Sequence, residues 1–388
     1  MNRFTIPRDI YFGENALDVL KTLEGTKAAL VIGGSSVKKN GNLDKIQQLL
    51  SEANIETKVI DGITTEPTTQ MVKKGVRILN DFQPDWVIGI GGGSVMDAAK
   101  AMWLFYEHPE LTFEEATRPF SLPRLRTRAK FVGIPTTSGS ASEISNLSVI
   151  TDAETGVKYP LADFELTPDM AIIDPIMVQS MPKHVTAYSG MDAITHSIEA
   201  YVAKPRTIFT DSLAIEAAQV LKENLLASYH GDAKAREQVH YAQAMAGMAF
   251  ANAVLGNVHS LSHKSGPIFN IPHGCANAIY LPYVIQFNRT VVEERYAAIA
   301  KRLGLNGENN KELVDSLIAW IRDLNNKMNI PNTLQEYGVS EETFTAHVDE
   351  MAANAVKDPC TSTNPRETSV EEMKKLYIAA FYGLDVNF

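Results

Sequence analysis

The stretch Gly190-Met191-Asp192-Ala193-Ile194-Thr195-His196 puts a carboxylate and an imidazole four residues apart at the start of a helical pattern. Residues at i and i+4 share one helix face, so both heads can reach a common point. His259-Ser260-Leu261-Ser262-His263 repeats the spacing with two imidazoles, and His273 stands in Ile271-Pro272-His273-Gly274, which reads as a proline–glycine loop. A lone histidine is more often a satisfied core or surface group than a ligand. Here, however, four of the nine histidines fall into these motifs beside an acid at matching spacing. A carboxylate with several imidazoles suits a borderline divalent metal, and Fe²⁺ and Zn²⁺ both fit that chemistry. The pattern is not the H-E-x-x-H of the zincins.

The elements that must carry these side chains differ between the two halves of the chain. In the first half, β-rich runs alternate with helical patterns. Residues 28–32, 57–60, 86–90 and 130–134 read as strands; 43–53, 71–82 and 95–106 read as helices. Strand–helix alternation at this spacing predicts a parallel, doubly wound sheet. Ligands bind such sheets at the C-terminal strand ends. Gly91-Gly92-Gly93-Ser94 falls at one of these ends, where backbone N–H groups and a helix N-terminus favour a phosphate. A plain tight turn is the alternative. The run departs from the usual dinucleotide fingerprint, because serine replaces the last glycine and the turn follows the third strand. Pro135-Thr136-Thr137-Ser138-Gly139-Ser140 offers a second, hydroxyl-rich loop at the same sheet edge. Asp97 and Lys100, i and i+3 on the following helix, read equally well as a surface ion pair.

After the first strand come Gly33, Gly34, Ser35 and Ser36, then Lys38 and Lys39, with no carboxylate to bind adenosine ribose hydroxyls. That favours NADP(H) over NAD(H). Asp61, at the end of the second strand, is the competing acid, and a solvated surface position is the bland reading of the two lysines.

In the second half the β signals fade, and 182–203, 210–229, 233–255, 291–303, 310–328 and 369–382 read as helices. The expected architecture is an α/β dinucleotide-binding domain with a parallel doubly wound sheet, residues 1–180, followed by an all-α metal and substrate domain, residues 181–388. A formal charge of −10, from 36 basic and 46 acidic residues, argues against nucleic acid and anionic membrane as partners. Two cysteines, Cys275 and Cys360, are too few for a disulfide framework and fit a reducing cytoplasm. The first residues carry no apolar signal core, and no run is long enough to span a bilayer.

Four motifs occur in order: Gly91-Gly92-Gly93-Ser94-x-x-Asp97-x-x-Lys100, Pro135-Thr136-Thr137-Ser138-Gly139-Ser140, Gly190-Met191-Asp192-Ala193-x-Thr195-His196 and Pro272-His273-Gly274. Together they resemble the iron-containing (group III) alcohol dehydrogenases over essentially the whole chain. Gly33-Gly34-Ser35-Ser36-Val37-Lys38-Lys39-Asn40-Gly41 is most similar to the members that use NADPH, the butanol dehydrogenases among them. The resemblance implies that Asp192, His196, His259 and His273 hold the metal, with Asp192 and His259 thereby part of the catalytic centre. His263 becomes the imidazole beside the nicotinamide and a candidate proton relay. Gly92, Gly93 and Ser94 would bind the pyrophosphate; Thr136, Thr137 and Lys158 would complete the cofactor cleft between the domains; Gly34, Ser35, Ser36, Lys38 and Lys39 would meet the adenosine end. Members form dimers or larger assemblies, and 4–7 with 9–13 resembles their pairing edge. Two stretches depart from the family pattern: Tyr188-Ser189, and Ser362-Thr363 where a glycine pair is common.

The expected reaction is reversible hydride transfer between NADP(H) and a small primary alcohol or aldehyde, such as butanol or butanal. A glycerol- or diol-type dehydrogenase is one alternative. A dehydroquinate-synthase-like lyase would need a basic pocket, and no lysine–arginine cluster lies near the metal motifs. A non-catalytic nucleotide-binding regulator would have no use for the aligned acid and histidines.

Overall fold

The computed structural model describes residues 3–63, 67–156 and 158–388. Its strands are β1 (Asp9–Phe12), β2 (Lys27–Ile32), β3 (Glu56–Ile60), β4 (Trp86–Gly91), β5 (Lys130–Pro135), β6 (Leu147–Thr151), β7 (Lys158–Ala162) and β8 (Met170–Ile173). Helices α1 (Ser36–Lys39), α2 (Asn42–Glu52), α3 (Thr69–Phe82), α4 (Gly93–Glu107) and α5 (Phe113–Ala116) lie between them. Six strands form one sheet in the order β1-β8-β5-β4-β2-β3, and every pair in it is parallel.

Period-two alternation explains why this sheet needs cover on both sides. Ala29 and Val31 of β2 face a core shared with Val72 and Leu79 of α3 and Ala98 and Met102 of α4. Ala28, Leu30 and Ile32 face the opposite core, with Leu43, Ile46, Leu49 and Leu50 of α2. The chain runs from β2 to β3 on one side and then from β3 back across to β4 on the other side of β2, so the strand order reverses between β2 and β4. The loops after these two strands therefore flank the topological switch point, where doubly wound sheets take ligands.

Three features of this unit depart from the sequence expectation. The hairpin β6–β7 forms a separate antiparallel sheet; short strands containing Ser, Thr and Pro carry little periodic signal. Strand β8, four residues long, also escaped it, whereas β1 falls within 9–13, the stretch that the resemblance reads as an edge strand. Lys100 is fully buried rather than part of a surface pair: its Nζ donates to the Ser145 and Leu147 carbonyls at 2.6 and 3.0 Å. Asp97 accepts from the Ser142 hydroxyl at 2.9 Å and the Val149 N–H at 3.1 Å. Together these two residues fasten the segment 142–149 and the hairpin to α4.

The chain divides into two compact units, Met1–Met181 and Pro182–Phe388. The second contains α6 (Lys183–Val202), α7 (Ile208–Tyr229), α8 (Ala233–Ala253), α9 (Asn257–Phe269), α10 (His273–Arg302), α11 (Asn310–Lys327), α12 (Leu334–Tyr337), α13 (Glu341–Ala355), α14 (Pro359–Thr363) and α15 (Val370–Tyr382). It has no strand among the described residues. Helix α6 is buried almost all round from Gly190 to Ala200, which marks it as the central helix of its unit. The Pro272-His273-Gly274 stretch is not a loop. Pro272 is the N-cap and His273 the first residue of α10, a 30-residue helix with Val292 off helical values at φ −136° and ψ 32°. The helical pattern beginning at 291 was the part after that break.

Candidate metal centre and nucleotide loop

Each of the clustered side chains sits at a position its helix dictates. Asp192 and His196 project one turn apart from α6, His259 and His263 one turn apart from α9, and His273 from the first residue of α10. The Nε2 atoms of His196, His259 and His273 all lie 3.6 Å from Asp192 Oδ1. Donors around a tetrahedral ion with bonds of about 2.0–2.2 Å are about 3.3–3.6 Å apart, so these separations suit a divalent metal. Asp192, His196 and His259 are buried, whereas the His273 side chain is 43% exposed and that of His263 35%. The cluster is thus closed on one side and open on the other.

Asn277, one turn beyond His273 on α10, tests whether a cation fits. The Ser262 hydroxyl donates to its Oδ1 at 2.6 Å, which turns Nδ2 toward the cluster. That nitrogen lies 2.8 Å from Asp192 Oδ1, 3.2 Å from His259 Nε2 and 3.1 Å from His273 Nε2. An amide nitrogen carries two hydrogens and here faces three acceptors. The surplus lone pair, on a site with a buried carboxylate, is what a cation would take up. Burial alone would raise the Asp192 carboxyl, but His196, His273 and His259 outweigh it and hold the group well below the usual carboxylate range.

His263 is set apart from this group. It stacks on His273 with ring centroids 5.5 Å apart, and its Nδ1 lies 3.1 Å from Asp358 Oδ2. Asp358 is buried and also accepts from Lys264 Nζ at 2.8 Å. Burial opposes ionisation of Asp358; His263 and Lys264 overcome that and lower its pKa strongly. Asp358, Asn277 and Glu199 were missed in the sequence. Glu199 follows Asp192 by seven and His196 by three, the helical repeat that places it on their face. It lies 2.6 Å from His259 Nδ1.

In the first unit, Gly92 and Gly93 open α4 directly after β4. A Cβ on Gly92 would meet Thr137 Oγ1 at 3.2 Å, and one on Gly93 would meet Ser140 Cβ at 3.0 Å. The two loops expected to hold phosphate are therefore in contact, Ser94 and Thr136 among them on partly open positions. Gly34, Ser35 and Ser36 are exposed after β2, across the switch point. Lys39 is exposed, while Lys38 Nζ pairs with Asp61 Oδ2 at 2.6 Å. Lys158 begins β7, on the hairpin held to α4 by Asp97.

Models of two protein families match the chain: iron-containing alcohol dehydrogenase over residues 7–175, and the C-terminal part of the Fe-containing alcohol dehydrogenase family over residues 186–381. The chain is 54% identical to an NADPH-dependent butanol dehydrogenase of Clostridium saccharobutylicum, over the full length of both. It is 42% identical to a bifunctional aldehyde-alcohol dehydrogenase of Escherichia coli K12, matching 98% of this chain and 46% of that one. Among solved structures, the iron-containing alcohol dehydrogenase of Thermococcus thioreducens superposes with a TM-score of 0.91 at 37% identity, covering 98% of this chain and 100% of the other. Family models that match both units, and identity that runs from end to end, show the family: the chain belongs to the iron-containing alcohol dehydrogenase family, and its activity is that of an alcohol dehydrogenase.

Proposed function

We propose that this enzyme transfers hydride between NADP(H) and a small primary alcohol or aldehyde, with butanol and butanal as the representative pair. One observation carries the reading: a buried carboxylate with three imidazole nitrogens at 3.6 Å, closed on the inside and open toward His263 and His273. Asp192, His196, His259 and His273 would hold the metal, Fe²⁺ first and Zn²⁺ as the acceptable substitute. When bound, the metal supplies a Lewis acid for an alkoxide or carbonyl oxygen. The chain's own groups do the rest. Asp192, His196 and His259 keep water from the inner side, which strengthens electrostatics at the reacting oxygen. His263 keeps Nδ1 on Asp358 and leaves Nε2 to exchange the alcohol's proton.

The N–H groups that open α4 would receive the pyrophosphate, with the positive end of the helix dipole behind them. Thr136, Thr137 and Lys158 would join them, and Gly34, Ser35, Ser36, Lys38 and Lys39 would meet the 2′-phosphate. Support for NADP(H) comes from the absence of a carboxylate at 33–36 and from the NADPH-dependent relative. The reading includes a homodimer formed along β1, the sheet's edge strand, where Phe12 is 68% exposed. It also includes a cytoplasmic location, consistent with two unpaired cysteines and with no described helix long and apolar enough to cross a membrane. The test is an aldehyde panel with NADPH and with NADH, followed by absorbance of the reduced cofactor, alongside metal analysis. Turnover by metal-free protein overturns the metal assignment, and a strong NADH preference overturns the cofactor assignment.

A further inference from the structure

Among the groups around the metal cluster, Glu199 is buried, ionisable and outside the set of donors. Its two oxygens have separate partners. Oε2 lies 2.6 Å from His259 Nδ1, and Oε1 accepts the Val258 N–H at 2.8 Å. Val258 is the second residue of α9, so its N–H is one of the orphan donors that every helix start must satisfy. A Cβ on Gly256 would stand 2.9 Å from Glu199 Oε1, so the turn into α9 closes directly over the carboxylate. A single side chain on α6 thereby holds both the start of α9 and the ring of its third residue.

The hydrogen-bond partners on the two ring nitrogens agree. A carboxylate on Nδ1 needs a hydrogen there. On the far side, Asn277 offers an N–H to Nε2 at 3.2 Å, because its carbonyl oxygen is already taken by the Ser262 hydroxyl. Both neighbours select the form with hydrogen on Nδ1 and a lone pair on Nε2.

We infer that Glu199 is a positioning residue for His259: it locks the ring tautomer and orientation that presents the Nε2 lone pair beside Asp192. The inference rests on the proposed metal set and deepens it. Partners that orient a ligating histidine in this way are worth about 10–100-fold in metal affinity.

The test is titration of metal-free protein with Zn²⁺ against a chromophoric chelator, and with Co²⁺ for its visible spectrum. Glu199→Gln keeps an oxygen for the Val258 N–H but turns an N–H₂ toward Nδ1, which favours the wrong tautomer. Expected is about 10–100-fold weaker Zn²⁺ binding and an altered Co²⁺ spectrum in Glu199→Gln. In a His259→Ala background the same change should cost nothing further. Equal affinity of parent and folded Glu199→Gln overturns the inference, as does the same loss with and without His259. Should Glu199→Gln fail to fold, Glu199→Asp takes its place in the same cycle: a loss confined to proteins that retain His259 supports the inference, and an equal loss in both backgrounds overturns it. If His259→Ala itself binds metal as tightly as the parent, the metal set is wrong, a result separate from failure at Glu199.

Discussion

A Cβ placed on Gly274 would sit 2.0 Å from the carbonyl oxygen of Tyr188. The first turn of α10 rests on the backbone of α6 at that point, and the contact sets how far His273 stands from Asp192. Gly274→Ala should force the two helices apart. Overpacking of this kind costs about 1–3 kcal/mol. The expected result is a lower urea midpoint together with weaker metal binding. Parental values for both would show that the close approach is not needed.

Asp192→Ala should abolish metal retention and turnover, whereas His259→Ala, which keeps three of the four proposed donors, should weaken metal binding to a measurable degree and abolish turnover. Nucleotide binding should survive, because the glycine turn and its threonine loop belong to the first unit. Metal analysis and NADPH fluorescence titration on the same preparation separate the two properties. A variant that retains full metal would remove its residue from the donor set.

Cofactor choice should respond to one position with room for a side chain. Nothing lies within 4 Å of a Cβ on Gly34. Gly34→Asp therefore folds normally, repels a 2′-phosphate and accepts ribose hydroxyls, moving kcat/KM toward NADH. Failure of the ratio to move would place the adenosine end elsewhere.

Asp61 should oppose NADPH in the same region, since it occupies Lys38 at 2.6 Å. Exposed pairs of this kind are worth about 0.2–1 kcal/mol. Freeing the lysine by Asp61→Asn should lower KM for NADPH by about two- to fivefold at low salt, with little effect on NADH. Lys38→Ala should do the reverse. Equal changes for both cofactors would mean that Lys38 does not reach the phosphate.

Acid sensitivity should trace in part to His240, fully buried on α8, where burial pushes its pKa down to about 3. The unfolded chain has an ordinary imidazole near 6.5, so between pH 6.5 and 3 it binds more protons than the native protein. Stability is then fully present above pH 6.5 and falls as pH drops toward 3. Urea unfolding at pH 7 and pH 4.5 should show a smaller acid loss in His240→Gln than in the parent. An identical loss would show that His240 does not drive it.

The residues of this protein speak plainly wherever the chemistry repeats at a local period. Asp192 with His196, and His259 with His263, announce themselves because one helical turn is a property of the backbone alone. The buried strands β2, β4 and β5 and the glycine turn at Gly91–Ser94 are legible for the same reason, as continuous apolar runs ending in a residue type that a tight turn requires. The resemblance to the iron-containing family was carried by four motifs in order, two of them of this kind.

Distance in space was not legible. Only packing brought α6, α9 and the start of α10 within 3.6 Å of one carboxylate oxygen, and it turned the expected loop at His273 into a helix start. A surface charge was one of two equal readings of Lys100; the segment 142–149 folds over it and supplies carbonyl partners, which decides against that reading. Glu199 and Asn277 keep helical spacing with the motif residues, three after His196 and four after His273, but the partners they serve on other helices leave no mark in that spacing, and Asp358 has no such spacing at all. Local spacing follows from the geometry of one backbone, whereas a shared site follows from how several backbones pack. That second quantity depends on every buried contact in the unit at once, which is why the tertiary structure alone decided it.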